Sequence, residues 1–461
     1  MTLIKSISGI RGTIGGVQGE GLTPPDIVKF TSAFAYTIKK GTGKKRPLIV
    51  TGRDARISGA MVLSLVNNSL SAMGCDIITL GIASTPTVEL AVQGEGADGG
   101  IIVTASHNPA EWNALKLLGS NGEFISAEEG EEVVALADGG NYLYSGVYDI
   151  GDIKKRDDYN RIHIDLIAQL PLVNIKAIQS AGFTVALDCI NSAGALILPD
   201  LLKRLGVERV VGVNMEADGR FSHNPEPVPV NLGEIANLVK ESGTDVGFVV
   251  DPDVDRLAIV SEDGSFFNEE YTLVACADYV LSHTPGNTVS NMSSSRALRD
   301  ITRIYGGEWF SSAVGEVNVV REMKRRNAVI GGEGNGGIIY PPLHYGRDAL
   351  LGIALFLSNL ALSGKSCSEL RRGYPEYVIS KKRVDLKHPD DAIVALEEVE
   401  RVFEKQITDR RDGIMIENKE GWVQVRKSNT ESIIRIYSEA SDAEKAEKLA
   451  SDILKIVKKE K

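Results

Sequence analysis

Val246-Gly247-Phe248-Val249-Val250-Asp251-Pro252-Asp253-Val254-Asp255-Arg256-Leu257-Ala258-Ile259-Val260 sets three carboxylates between two apolar runs. Such runs read as strands buried on both faces, the pattern of α/β sheets. A solvated turn has no reason to sit between two buried strands. Three carboxylates in so short a stretch repel one another unless they share a cation, and all-oxygen ligation of this kind suits Mg2+. Asp251, Asp253 and Asp255 are therefore the candidate metal ligands.

A second segment is built in the same way. Gly100-Ile101-Ile102-Val103 leads into Thr104-Ala105-Ser106-His107-Asn108-Pro109. The Ser106 hydroxyl then emerges just past a buried strand, where open α/β sheets place their chemistry. Taken alone, a serine before polar residues is more often a helix cap. A hydroxyl nucleophile combined with a divalent-metal cage points instead to phosphoryl transfer.

Outward from these segments, the first three quarters of the chain alternate strand-like and helix-like stretches, the signature of α/β layers. One unit has Pro47-Leu48-Ile49-Val50-Thr51, a helix over 62–73, then Gly74-Cys75-Asp76-Ile77-Ile78. A second has Phe183-Thr184-Val185-Ala186-Leu187, a helix over 198–205, then Gly206-Val207-Glu208-Arg209-Val210. A third has a helix over 296–305, Gly306-Gly307, then Glu308-Trp309-Phe310. The repeated order of helix, glycine and strand suggests three copies of one unit. The remainder differs, with strands over 378–386, 413–416, 422–425 and 433–437 and helices over 392–404 and 443–458. That distribution indicates an α+β domain with an antiparallel sheet. The expected domains are 1–153, 154–256, 257–370 and 371–461, divided in stretches rich in glycine or charge.

A chain of 461 residues is too long for one core, and 43% hydrophobic with 25% charged residues is an ordinary globular composition. The net charge of −11 argues against nucleic acid or anionic membrane as partners, while leaving room for a basic cluster inside a cleft. No apolar run is long enough to span a bilayer, and Met1-Thr2-Leu3-Ile4-Lys5-Ser6 carries no secretory core. The expectation is a cytoplasmic enzyme, monomer or homodimer. Cys75, Cys189, Cys276 and Cys367 are far apart and read as reduced, buried thiols. His163, His223, His283, His344 and His388 show no ligand spacing and read as surface or structural residues.

Six motifs occur in order: Ser8-Gly9-Ile10-Arg11-Gly12, Gly52-Arg53-Asp54-Ala55-Arg56, the serine segment, the aspartate segment, Gly332-Glu333-Gly334-Asn335-Gly336, and Arg426-Lys427-Ser428-Asn429-Thr430-Glu431. Together they resemble the α-D-phosphohexomutases, which move a phosphoryl group between the 6- and 1-hydroxyls of a hexose. The resemblance runs over almost the whole chain, and the ordered set is far more specific than any one motif. It implies three topologically similar α/β domains, then an α+β domain, around a central cleft.

The resemblance also implies roles. Ser106 would carry the phosphoryl group, one of whose oxygens completes the Mg2+ shell. Lys116 and Arg11 become candidates for proton transfer and charge stabilisation, the lysine requiring a pKa depressed by crowded cations. Arg256 adds positive charge at the same centre. Arg53 and Arg56 are either ion-pair partners at a domain interface or cleft residues. Glu333 and Asn335 would accept hydrogen bonds from two sugar hydroxyls. Arg426, Ser428, Asn429 and Thr430, with Arg435 as an addition, would hold the non-reacting phosphate. The implied ligands are a phosphosugar and Mg2+, with a hexose 1,6-bisphosphate as intermediate and activator.

Some positions depart from the family pattern. Asn335 replaces a common serine, Gly337 stands where some members have histidine, and Glu316 lies where a basic residue is often found. A less positive margin at Glu316 favours an ammonium at C2. The expected reaction is thus glucosamine 6-phosphate to glucosamine 1-phosphate. Phosphoglucomutase or phosphomannomutase activity is the alternative, and a serine-dependent phosphatase a distant one.

Overall fold

The computed structural model describes residues 2–6, 9–386, 391–428 and 433–459. Ser8, His388, Asn429, Thr430 and Glu431 lie outside the described residues.

Three sheets share one plan. In the first, Leu48–Arg53 is flanked in parallel by Asp76–Ile82 and Gly99–Val103, and Trp112–Gly119 returns antiparallel to Gly99–Val103. In the second, Thr184–Asp188 is flanked by Arg209–Val213 and Val246–Val250, with Leu257–Ser261 returning beside Val246–Val250. In the third, Thr288–Asn291 is flanked by Trp309–Ser312 and Ile330–Glu333, with Gly337–Ile339 returning beside Ile330–Glu333. Each unit's helix between its first two strands gives way to a left-handed glycine, at φ 78° for Gly74, 85° for Gly206 and 75° for Gly306. A β-carbon is disfavoured in that conformation, which explains the recurring helix–glycine–strand order.

The first sheet is wider. Ile4–Ser6 and Gly9–Thr13 extend it beyond Trp112–Gly119, and Ile153–Lys155 adds an edge strand beside Asp76–Ile82. That edge corrects the expected division after 153, because the strand continues to Lys155 in the first sheet. The division after 256 is corrected too. Leu257–Ser261 exchanges backbone hydrogen bonds with Val246–Val250 and belongs to the second unit, so the aspartates form a hairpin connection inside that unit.

Units two and three share one apolar core, crossed by the helix Ala349–Ser363. This helix is apolar all round and buried along most of its length, as expected of an element enclosed on every side. The last domain is a five-stranded antiparallel sheet whose helices, Asp391–Phe403 and Ala443–Lys459, cover one face. Strand alternation then decides where its residues point. Val423 and Val425 pack beneath the helices, while Trp422 meets Met292 of the third unit and Arg426 lines a cleft between domains. The four cysteines are free and buried. Among the described residues, no helix is long and apolar enough to cross a membrane.

Candidate active site

Three loops lie at one topological position, between the last parallel strand of a unit and its antiparallel return. Ser106 occupies this link in the first unit, Asp251 to Arg256 in the second, and Gly334 to Gly336 in the third. They meet at a cleft of about 920 Å³, whose far wall is formed by the terminal domain.

The serine loop is held from beneath by a buried polar set. Arg56 Nε donates to Asp54 at 3.0 Å, and its other nitrogens donate to the carbonyls of Asn108, Pro109 and Trp112 at 2.6, 2.7 and 3.0 Å. Thr104 donates to Asp54 at 2.7 Å and accepts the Ser106 amide at 2.9 Å. Arg56 therefore scaffolds the loop, and Arg53 donates to the Asp54 carbonyl at 2.9 Å. Ser106 itself has φ of 49°, a strained setting for a residue other than glycine.

Asp251, Asp253 and Asp255 are buried, and one carboxylate oxygen from each lies within 4.8 Å of the others. Val254 between them has φ of 61°, a marked outlier for a β-branched residue. Asp253 Oδ1 and Asp255 Oδ1 have no hydrogen-bond partner, so two buried acceptors remain for a cation. This donor set fits Mg2+. Ser106 Oγ donates to Asp251 Oδ2 at 2.6 Å. Thr85, at the start of a first-unit helix, donates its hydroxyl to Asp253 Oδ2 at 2.7 Å and its amide to the Asp253 carbonyl at 2.8 Å.

Lys116 Nζ lies 2.7 Å from Asp253 and 3.7 Å from Asp255. Burial alone would lower its pKa, but these carboxylates hold it above the ordinary lysine value. Anions thus crowd the ammonium where crowding by cations was anticipated. Cations gather instead around Arg11, which donates to Asn108 Oδ1 at 2.6 Å. Burial, followed by repulsion from Arg256, brings the Arg11 pKa down to about 10. Burial and the same two arginines hold His107 well below the usual imidazole range. Arg256 Nε is buried without a hydrogen-bond partner, 3.8 Å from Asp255 Oδ1, and Arg256 Nη1 lies 3.9 Å from Glu226 Oε1. Such a cluster suits an anion with several acceptor oxygens.

In the third loop, Glu333 accepts from Asn291 Nδ2 at 2.7 Å and from the Gly315 amide at 3.1 Å. Asn335 Oδ1 accepts the Gly337 amide at 3.2 Å. The sequence reading missed Arg347, which is buried and donates to Asp255, Glu333 and Glu316 at 2.6, 2.7 and 2.8 Å. The expected acidic margin at Glu316 is corrected by this pairing, because its carboxylate is buried against a guanidinium. The only trace in sequence is an arginine beside Asp348, which caps the apolar helix. His163 and His344 also prove to be buried, both bonding Asp348 Oδ2, at 2.8 and 3.3 Å. His344 Nδ1 lies 3.2 Å from Glu89, tying the first unit to the third.

On the terminal domain, Arg426, Ser428 and Arg435 line the cleft. Arg435 stands opposite Arg426 on one neighbouring strand and opposite Arg383 on the other. Three guanidinium groups therefore share one row of the sheet. Like charges directly opposite one another destabilise a sheet unless an anion joins them. Arg426 Nε is buried without a hydrogen-bond partner, with Asp412 3.9 Å away. Arg383, also in the cleft wall, was not singled out from sequence, since register between distant strands is invisible there.

Comparison with known proteins gives the same domain order. Residues 3–142, 161–264 and 268–377 match alpha/beta/alpha domains I, II and III of the phosphoglucomutase/phosphomannomutase family, and 382–456 match its C-terminal domain. A phosphoglucomutase/phosphomannomutase of Thermococcus kodakarensis is 38% identical over 441 residues, covering 94% of this chain and 95% of that protein. A probable phosphoglucosamine mutase of Methanopyrus kandleri is 32% identical over 460 residues, covering 98% of this chain and 97% of that protein. The crystal structure of a phosphoglucomutase/phosphomannomutase family protein from Burkholderia thailandensis superposes with a TM-score of 0.84 at 24% identity, covering 99% of this chain and 97% of that one. With all four domains matched in order, and 38% identity to such a protein over 94% of its length, the chain belongs to the phosphoglucomutase/phosphomannomutase family of phosphohexomutases.

Proposed function

We propose that the protein interconverts hexose 6- and 1-phosphates through a phosphorylated Ser106. The observation that carries this reading is the 2.6 Å contact between Ser106 Oγ and Asp251, which unites a hydroxyl from one unit with the acidic cage of another. The phosphoserine P–O bond breaks as a sugar hydroxyl oxygen bonds to phosphorus, and the hydroxyl proton ends on Ser106 Oγ. The resulting hexose 1,6-bisphosphate turns around, and its other phosphoryl group returns to the serine.

Asp251, Asp253 and Asp255 would hold Mg2+. Bound there, the ion supplies Lewis-acid neutralisation of phosphoryl oxygens. Lys116, Arg11 and Arg256 stabilise charge on the transferring group. Glu333 and Asn335 orient the sugar. Arg426, Ser428, Asn429, Thr430 and Arg435 retain the phosphate that is not reacting, aided by Arg383, so that the opposite hydroxyl meets the serine. The domains bearing these parts are taken as one per sheet.

Glucosamine phosphate is the proposed sugar, supported by the name of the Methanopyrus kandleri relative. A specific observation favours the second reading, a glucose or mannose phosphate. Arg347 pairs with Glu316 and weakens the pull that its carboxylate would exert on an ammonium. The deciding assay supplies each hexose 1-phosphate with Mg2+ and a trace of its 1,6-bisphosphate, then quantifies 6-phosphate and free phosphate. Free phosphate alone would make the protein a phosphatase. A preference above about tenfold, ~1.4 kcal/mol in the transition state, for glucose or mannose over glucosamine would overturn the sugar assignment.

A further inference from the structure

Arg347 joins carboxylates from a loop, a strand end and a helix start, and the catalytic and binding roles just proposed leave it unused. Its Nη2 donates to Asp255 of the acidic cage at 2.6 Å and its Nη1 to Glu333 of the sugar loop at 2.7 Å. Its Nε donates to Glu316 at 2.8 Å. The contacted oxygens are Asp255 Oδ2 and Glu333 Oε2, which leaves Asp255 Oδ1 without a hydrogen-bond partner. A planar fork with donors in fixed directions can set both carboxylates at once, whereas an ammonium is a single point of charge.

Gly337 makes this arrangement sterically possible. A β-carbon at that position would lie 2.3 Å from Arg347 Cδ and 3.0 Å from Cγ, so the arginine stem occupies the space a side chain would need. Gly337 also pairs with Glu333 across the hairpin, which fixes that space beside the sugar-loop carboxylate. Glu316, Gly337 and Arg347 form one matched set. The cation is shared by Glu316, Asp255 and Glu333, and the glycine admits it.

We propose that Arg347 is a positioning residue for the transfer reaction, bridging the metal cage to the sugar loop so that the orientation of Asp255 and that of Glu333 are set by one side chain. This inference rests on the cage and sugar-loop roles proposed above. Two variants test it while keeping the cation, so that a change in local charge does not confound the result. Arg347→Lys removes the fork, and Gly337→Ala displaces the native arginine by steric conflict.

Calorimetric titration with Mg2+ alone, steady-state kinetics on the preferred hexose phosphate, and thermal melting are measured for each variant. Outer-sphere partners of a metal site typically contribute about ten- to a hundredfold in affinity. The expected result is Mg2+ affinity weakened by about tenfold or more in both variants, with a raised KM and lowered kcat, and melting within a few degrees of wild type. Unchanged Mg2+ affinity and KM in both variants would overturn the inference. So would a shift in only one of the two constants, because a bridge must move both. Should Arg347→Lys fail to fold, Gly337→Ala decides by the same criteria. Wild-type protein that binds Mg2+ and interconverts the sugar phosphates while both variants match it defeats this inference alone. Wild-type protein that does neither defeats the functional reading and this inference together.

Discussion

Ser106 Oγ donates its proton to Asp251 Oδ2 at 2.6 Å, across 145 residues of chain and between two separate sheets. Each residue lies in the link that follows the last parallel strand of its unit, Gly99–Val103 or Val246–Val250. Docking of Thr85 onto Asp253 brings those links together.

If Ser106 is the covalent carrier proposed above, replacing it by alanine is expected to lower mutase turnover by at least about a thousandfold. Mass spectrometry of the purified wild type should find a phosphate on Ser106. Turnover near wild type in the alanine variant would end the phosphoserine mechanism.

Asp253→Asn should weaken Mg2+ binding and leave Lys116 without its closest counter-charge, since that carboxylate lies 2.7 Å from the ammonium. Loss of one partner from a buried pair costs about 3–5 kcal/mol, so reduced thermal stability should accompany the lost affinity. Calorimetry showing the wild-type Mg2+ affinity would contradict the cage assignment.

Arg426→Ala should raise KM more than it disturbs folding. A charged hydrogen bond contributes roughly 1.5–3 kcal/mol, equivalent to about ten- to a hundredfold in kcat/KM. An unaltered KM with a large drop in Tm would make Arg426 structural. Arg383→Ala should act in the same direction, as its side chain shares the row through Arg435.

The junction of Glu89, His344 and Asp348 predicts a loss of stability in alkali. Burial alone would lower His344, but bonds to Asp348 and Glu89 raise it to about 10. Its contribution is therefore complete below the unfolded histidine value of ~6.5 and disappears as pH rises through about 10. Glu89 acts with the same sign, since burial and then Glu316 push its carboxyl up to about 8 and the folded state keeps a proton that the unfolded state has released. Asp348 has the opposite sign, because pairing with His163 overcomes burial and holds it well below the carboxylate range. Its contribution is present above the unfolded value of ~3.9 and fades as acid protonates it. Melting temperature should fall between about pH 7 and 10, and the fall should be smaller in His344→Gln. Parallel profiles for the two proteins would place the alkaline loss elsewhere.

Much of this was legible locally. Strand alternation at Trp422, Val423 and Val425, the left-handed glycines after helices, and the apolar runs flanking the aspartates are properties of neighbouring residues. The edge strand Ile153–Lys155 escaped notice because it is three exposed residues long and carries two lysines. The division after 256 was misplaced for a related reason. The charge-rich stretch resembles a linker in sequence, and only the backbone pairing of Leu257–Ser261 shows that the chain turns back into the same sheet.

The sequence by itself determined the layer order, the three α/β repeats and the terminal antiparallel domain, because periodicity and motif composition act over a few residues. Only the tertiary structure decided which charges meet. Lys116 faces aspartates rather than arginines, Arg347 gathers Asp255, Glu316 and Glu333, and Arg383 joins Arg435 and Arg426 across the sheet. Pairings of this kind depend on register and on docking between units far apart in the chain. Their electrostatic consequences reverse with the sign of the neighbour, and spacing along the sequence carries no record of that sign.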